Sequence, residues 1–140
     1  MSEFVDTNVL LYAAASDAGR KQQISIELIE HLWSERKGAL SVQVLSEFYH
    51  NATRKLRLSA ESAEEAVRDF SRWRLHLPDH ASILSAIRLE QRYKLAWHDA
   101  MILNSALETS CSILWTEDFH DGQRFGDLTI RNPYKNARSV

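Results

Sequence analysis

Cys111-Ser112-Ile113-Leu114-Trp115, closed by the polar Thr116-Glu117-Asp118, is the stretch on which the fold class turns. A continuous apolar run of this kind suits a strand covered on both faces, as in a parallel sheet between helices. The opening Glu3-Phe4-Val5 reads as a second such strand and ends in Asp6-Thr7-Asn8. Between them the residue pattern predicts helices over 9–15, 20–37, 43–57, 60–74, 80–93 and 97–109. In the second of these, Ile24, Leu28, Ile29 and Leu32 fall at helical spacing and Gly38 reads as the stop. Ser59 reads as the N-cap of the helix over 60–74. Short strands are expected over 39–42, 75–77 and 128–131, with 117–127 a polar loop. Strands alternating with helices predict an α/β fold, a mostly parallel sheet of about five strands sandwiched by helices. No repeat or linker interrupts the pattern, so residues 1–140 are expected to form a single domain.

Composition narrows the function. A chain that is 44% hydrophobic, with four Trp against four Gly and two Pro, has the means to bury a core and is not a disordered segment. Its 17 Lys+Arg and 19 Asp+Glu give a net charge of −2, which excludes binding nucleic acid by bulk positive charge. A nucleic-acid substrate would have to be drawn by local patches and metal ions. The lone Cys111 cannot form an intrachain disulfide, and there is no signal-peptide pattern or long apolar run. A cytoplasmic protein without a membrane segment is expected.

Chemistry is expected beyond the carboxyl ends of the strands, where sites form in open α/β sheets. Asp6 ends the first strand, and Glu117 and Asp118 follow Thr116 after the 111–115 strand. Taken alone, Asp6 also reads as a helix N-cap. On the 97–109 helix, Ile102, Leu103, Ala106 and Leu107 mark the inward stripe, and Asp99 points along its centre. An inward carboxylate is costly unless it is capped, paired or metal-bound, so Asp99 reads either as a cap or as a ligand. Glu47 lies beside the stripe of Val44, Leu45, Phe48, Ala52 and Leu56, as a boundary residue or one turned toward a site. Two carboxylates roughly 4 Å apart repel by about 4 kcal/mol at an effective dielectric of roughly 20, so a cluster calls for protons or cations. Hard oxygen ligands favour Mg²⁺ or Mn²⁺, which suit phosphodiester hydrolysis.

Four short segments carry a resemblance: Phe4-Val5-Asp6-Thr7-Asn8-Val9-Leu10, Ser46-Glu47-Phe48-Tyr49, Trp97-His98-Asp99-Ala100-Met101-Ile102 and Leu114-Trp115-Thr116-Glu117-Asp118-Phe119. In this order, with Ile130-Arg131-Asn132-Pro133-Tyr134 at the end, the chain resembles PIN-domain nucleases, and in size the VapC-like toxins among them. The resemblance implies a PIN-like α/β/α fold, Mg²⁺- or Mn²⁺-dependent ribonuclease activity on an RNA substrate, a cognate antitoxin partner and a homodimer. It also implies that Asp6, Glu47, Asp99 and, at the more variable fourth position, Asp118 form the catalytic and metal-binding set. Asn8, Thr116, Glu117 and Asp121 are supporting candidates, with Glu117 and Asp121 the alternatives that would assist or replace Asp118. Many relatives carry Ser where this chain has Ala96, and loss of that hydroxyl is expected to tune the site.

Arg54, with Lys55 and Arg57, reads either as a clamp for an RNA phosphate or as a basic helix end complementing the macrodipole. The histidines do not assemble a zinc site: His76 and His80 are separated by Pro78. His98, beside Asp99, reads as a solvent-facing residue before a substrate contact, and Trp33, Trp73, Trp97 and Trp115 read as core before base-stacking platforms. Two other classes remain, a non-catalytic module of the same fold and an Asp-based phosphotransfer protein. The phosphatase form of the latter needs a second Asp where Asn8 stands.

Overall fold

The structure, a computed structural model, describes residues 1–135. Strand β1 (Glu3–Val5) leads into α1 (Thr7–Ala14) and α2 (Arg20–Glu35), then β2 (Gly38–Ser41), α3 (Val42–Arg54) and α4 (Ala60–Phe70). After β3 (Arg74–His76) come α5 (His80–Tyr93) and α6 (Trp97–Glu108), then β4 (Ile113–Trp115), β5 (Arg124–Phe125) and β6 (Leu128–Arg131). The sheet order is β3-β2-β1-β4-β6-β5, parallel except where β5 meets β6. The α/β class and the parallel sheet are as the sequence pattern predicts.

This order positions the site. From β1 the chain adds β2 and β3 on one side, then returns to lay β4 on the other. The reversal opens a crevice at the carboxyl ends of β1 and β4, whose register pairs Val5 with Trp115. Phe4, Val5, Leu40, Leu114 and Ile130 are fully buried in the strands that frame it. Helices α1 to α4 pack as one connected group and α5 with α6 as another, completing the layers on the sheet. Among the described residues no helix is long and apolar enough to cross a membrane.

Helix ends follow local chemistry. The hydroxyl of Ser41, the last residue of β2, accepts from the Val44 amide at 3.2 Å, so the strand passes directly into α3 and fixes the direction in which Glu47 projects. Ser59 caps α4 as expected, and Asp79 with Ser82 makes a reciprocal capping box on α5.

Several expectations are corrected. The sheet has a further strand: β5 lies in the segment read as loop, because Phe125 is buried against Tyr93 and Phe119 and pairs its backbone with Leu128. Two residues are too few to show alternation. Gly38 does not stop α2. That helix ends at Glu35 on Arg36, which takes the left-handed conformation (φ 56°). Gly38 instead opens β2, where Trp73 packs flat against its α-carbon. Of the four tryptophans, Trp73 is buried within a cluster with Trp33 and Phe70, while Trp33 and Trp97 are 38% and 41% exposed.

A β-carbon at Gly38 would stand 2.3 Å from the Trp73 ring. Gly38→Ala is therefore expected to destabilise the protein by about 1–3 kcal/mol, as overpacked cores do. Urea unfolding followed by Trp fluorescence reads this directly, and an unchanged midpoint would mean that the ring moves aside freely.

Candidate metal centre

Asp6 is 1% exposed at the end of β1. It occupies the N-cap position of α1, yet its side chain makes no capping bond. Instead its Oδ2 accepts from Thr116 Oγ1 at 2.7 Å, and that same hydroxyl oxygen accepts from the Asp118 amide at 3.1 Å. Thr116 thus ties the end of β1 to the loop after β4. The other oxygen, Asp6 Oδ1, is buried without a hydrogen-bond partner. Burying a carboxylate costs several kcal/mol after relaxation, so an oxygen left unpaired here has the character of a ligand atom.

Glu47 reaches the same place from α3. Val44, Leu45, Phe48 and Ala52 of that helix are buried, which leaves Glu47 at the edge of the apolar stripe. Thr7 Oγ1 donates to its Oε1 at 3.1 Å, and Gln43 Nε2 donates to its Oε2 at 3.3 Å. Asp99 arrives on the first turn of α6, where Ala96, not Asp99, is the N-cap residue. Its reading as a cap is thereby removed. Asp118 stands at the rim.

His98 is the residue that the sequence misplaced. It is half-buried: Nδ1 lies 2.9 Å from Glu47 Oε2, and Nε2 lies 3.5 Å from Asp6 Oδ1. Ligand atoms of Asp6, His98 and Asp99 all fall within 4.8 Å of one another. Adjacent helical residues project about 100° apart, so an inward Asp99 argues for an outward His98. The approach of α3 and of the end of β1 supplies the two carboxylates that the imidazole meets.

The charges divide accordingly. Burial alone would raise Asp6, but the His98 imidazole, 3.5 Å from Oδ1, and the hydrogen bond from Thr116 outweigh it and hold its pKa below the ordinary value. Asp6 and Glu47 together push His98 up to about 10, against the opposing effect of burial. Asp99 is raised by burial and by the Asp6 charge. Asp118 is raised to about 7 by partial desolvation and by the charges of Asp6 and Asp99. The site carries more carboxylate charge than its one imidazole balances, so its donor set fits a divalent cation.

The supporting candidates separate clearly. Glu117 pairs with Lys21 at 2.8 Å and accepts from the Tyr12 hydroxyl at 2.9 Å, so it braces the loop. Asp121 accepts the Asn132 amide at 2.8 Å and holds the chain after β6. Asn8 lines a neighbouring cleft with Tyr12, Asn51 and Lys55. Arg54 is exposed at the end of α3 and has no ion pair among the described residues.

The PIN domain family model matches residues 4–121, a span that includes Asp6, Glu47, Asp99 and Asp118. The chain belongs to the PIN domain family. Curated protein sequences give no match. Solved PIN-like structures superpose over nearly the whole chain. VapC20 of Mycobacterium tuberculosis, described as a sarcin-ricin loop cleaving toxin, is 19% identical with a TM-score of 0.67, covering 84% of this chain and 90% of its own. A toxin–antitoxin complex from Klebsiella pneumoniae is 21% identical with a TM-score of 0.70, covering 95% and 98%. DNA-bound VapBC from Salmonella typhimurium is 20% identical with a TM-score of 0.66, also covering 95% and 98%. At these identities the likeness is one of fold, and it places this PIN domain in an α/β/α arrangement.

Two consequences can be measured. Ala96 has the extended backbone of an N-cap (φ −62°, ψ 149°) but no side chain to cap with. Ala96→Ser is expected to raise stability by about 1 kcal/mol, seen as a higher urea midpoint at unchanged slope. The second concerns pH. Because the folded pKa of Asp118, about 7, lies above its ordinary 3.8, its contribution is fully present below 3.8 and is lost as pH rises through 7. In EDTA, Asp118→Asn should therefore unfold at a higher temperature than wild type at pH 8. The gap should close toward pH 4; an equal gap at both would refute the linkage.

Proposed function

We propose that this PIN domain is a divalent-metal-dependent endoribonuclease, the toxin of a type II toxin–antitoxin pair. The observation that carries the reading is Asp6 Oδ1, buried and without a hydrogen-bond partner, in a carboxylate whose ligand atom lies within 4.8 Å of those of His98 and Asp99 on α6. Asp6 and Asp99 are the carboxylates that would hold Mg²⁺ or Mn²⁺, with Asp118 at the rim and Glu47 behind His98. Such an ion supplies Lewis acidity toward the phosphodiester and makes water a stronger nucleophile at neutral pH.

The chain's own groups do the rest. Thr116 keeps one Asp6 oxygen engaged and so turns the other into the crevice. The Lys21–Glu117–Tyr12 network holds the loop that carries Asp118. Beside Asp118 a cleft of about 340 Å³, lined by Tyr93, Phe119 and His120, offers aromatic faces for an unstacked base. Arg54, unpaired and exposed near the Asn8 cleft, is assigned to an RNA phosphate. Hydrolysis adds water across one phosphorus–oxygen ester bond, the proton passing to the departing ribose oxygen.

The toxin assignment is supported by what the similar structures are said to be: a sarcin-ricin loop cleaving toxin and toxin–antitoxin complexes. An antitoxin that covers the acidic crevice, self-association as a homodimer, and action in the cytoplasm belong to the same proposal.

The test is incubation of total cellular RNA with purified protein in Mn²⁺, Mg²⁺ or EDTA. Wild type should yield discrete fragments with metal only. Asp6→Asn and Asp99→Asn should lower cleavage by about 100- to 1000-fold, the scale on which losing preorganised charge stabilisation is felt. Arg54→Ala should weaken cleavage while leaving metal binding unchanged. Full activity of Asp6→Asn would sink the assignment.

A further inference from the structure

We infer that His98 is itself a ligand of the metal ion, through Nε2, and that Glu47 serves as the carboxylate that orients its imidazole. The inference rests on the metal-dependent reading above and assigns to it a nitrogen donor and a metal preference.

The two ring nitrogens of His98 face different partners. Nδ1 is 2.9 Å from Glu47 Oε2, a distance at which the ring N–H donates to the carboxylate. Nε2 faces Asp6 Oδ1 at 3.5 Å, the one oxygen of that buried carboxylate without a hydrogen-bond partner. A neutral imidazole has one N–H and one lone pair. When an entering cation displaces the proton on Nε2, the remaining N–H stays on Glu47 and the lone pair is on the nitrogen that looks into the cluster. A histidine that binds a metal through one nitrogen while giving its other N–H to a carboxylate is a recurrent arrangement, because the carboxylate fixes the tautomer and makes the ligating nitrogen more basic.

Glu47 is suited to that orienting task and not to direct ligation. Its Oε1 accepts from Thr7, and its Oε2 accepts from both Gln43 and His98. These bonds hold the carboxylate on the far side of the imidazole. The ligand atoms gathered within 4.8 Å of one another belong to Asp6, His98 and Asp99. Two ligands on opposite sides of one ion, each at about 2.1 Å, stand about 4.2 Å apart, so small side-chain rotations close the set. Coordination releases any proton that Nε2 carries in the metal-free protein, and the ion's charge replaces it beside Asp6.

The mixed donor set has a consequence for metal choice. Mg²⁺ keeps to oxygen ligands, whereas Mn²⁺, at the weak end of the first-row transition series, still gains from a nitrogen donor. The His98 site should therefore favour Mn²⁺ over Mg²⁺, and that preference should depend on the imidazole.

Pulsed electron paramagnetic resonance of the Mn²⁺-loaded protein tests this without reference to cleavage. Wild type should show coupling of the Mn²⁺ spin to an imidazole nitrogen, and His98→Ala should lose it. By calorimetry His98→Ala should bind Mn²⁺ at least about 10-fold more weakly, with a smaller loss for Mg²⁺. Glu47→Gln should keep the nitrogen coupling while weakening Mn²⁺ roughly 10- to 100-fold, as loss of an orienting carboxylate does. Mn²⁺ bound to wild type without nitrogen coupling would overturn the ligand assignment and leave the carboxylate site standing. No Mn²⁺ binding by folded wild type would overturn both. Because the wild-type spectrum alone decides the first question, a variant that fails to fold does not obscure it.

Discussion

The buried carboxylate of Asp6 sets the terms for everything around it. It sits where the sheet order reverses, between the two central strands, with one oxygen held by Thr116 and the other without a hydrogen bond, 3.5 Å from His98. A charge in that position is tolerable only if neighbours compensate the lost solvation. Thr116 and His98 do so in the metal-free protein and keep Asp6 ionised. The same residues line the approach to the second oxygen, which is open to a proton, a donor N–H or a cation.

Two helices converge on that end of β1, and each is brought there by apolar packing elsewhere along its own length. Helix α3 is anchored by Val44, Leu45, Phe48 and Ala52, and α6 by Ala100, Ile102, Leu103 and Ala106. Their burial removes apolar surface from water at about 25 cal/mol per Å². That gain offsets the repulsion of carboxylates which, left alone, would separate. Asp99 and Asp118 show the opposing pull, since both titrate upward in the field of Asp6. The crevice is thus a place where the fold's stability is spent on holding like charges close.

The outer polar groups work as braces. Lys21 and Tyr12 hold Glu117, Asp121 holds the Asn132 amide, and Ser25 meets the Tyr134 hydroxyl at 2.8 Å. Together they tie α1 and α2 to the loop after β4 and to the chain beyond β6. On the other side of the sheet edge, His76 lies 2.8 Å from both Ser105 and Glu108, joining β3 to α6. Glu117 and Asp121, the supporting candidates of the sequence, make their bonds within this frame.

By itself the sequence determined the α/β class, the order of the elements and the positions of four acidic residues. Apolar runs, strand ends and helical stripes are local patterns, and hydrophobic burial acts on them locally. The lone serine caps at Ser41 and Ser59 belong to the same short-range chemistry, although only Ser59 was legible as one. The two-residue β5, the Trp73 ring on Gly38 and the end of α2 on Arg36 were decided by contacts between segments far apart in the chain. The clearest case is His98. Helical geometry turns it away from Asp99, and its partners Asp6 and Glu47 lie 92 and 51 residues away. No local pattern records such a meeting, because it exists only once α3 and α6 close over the end of β1.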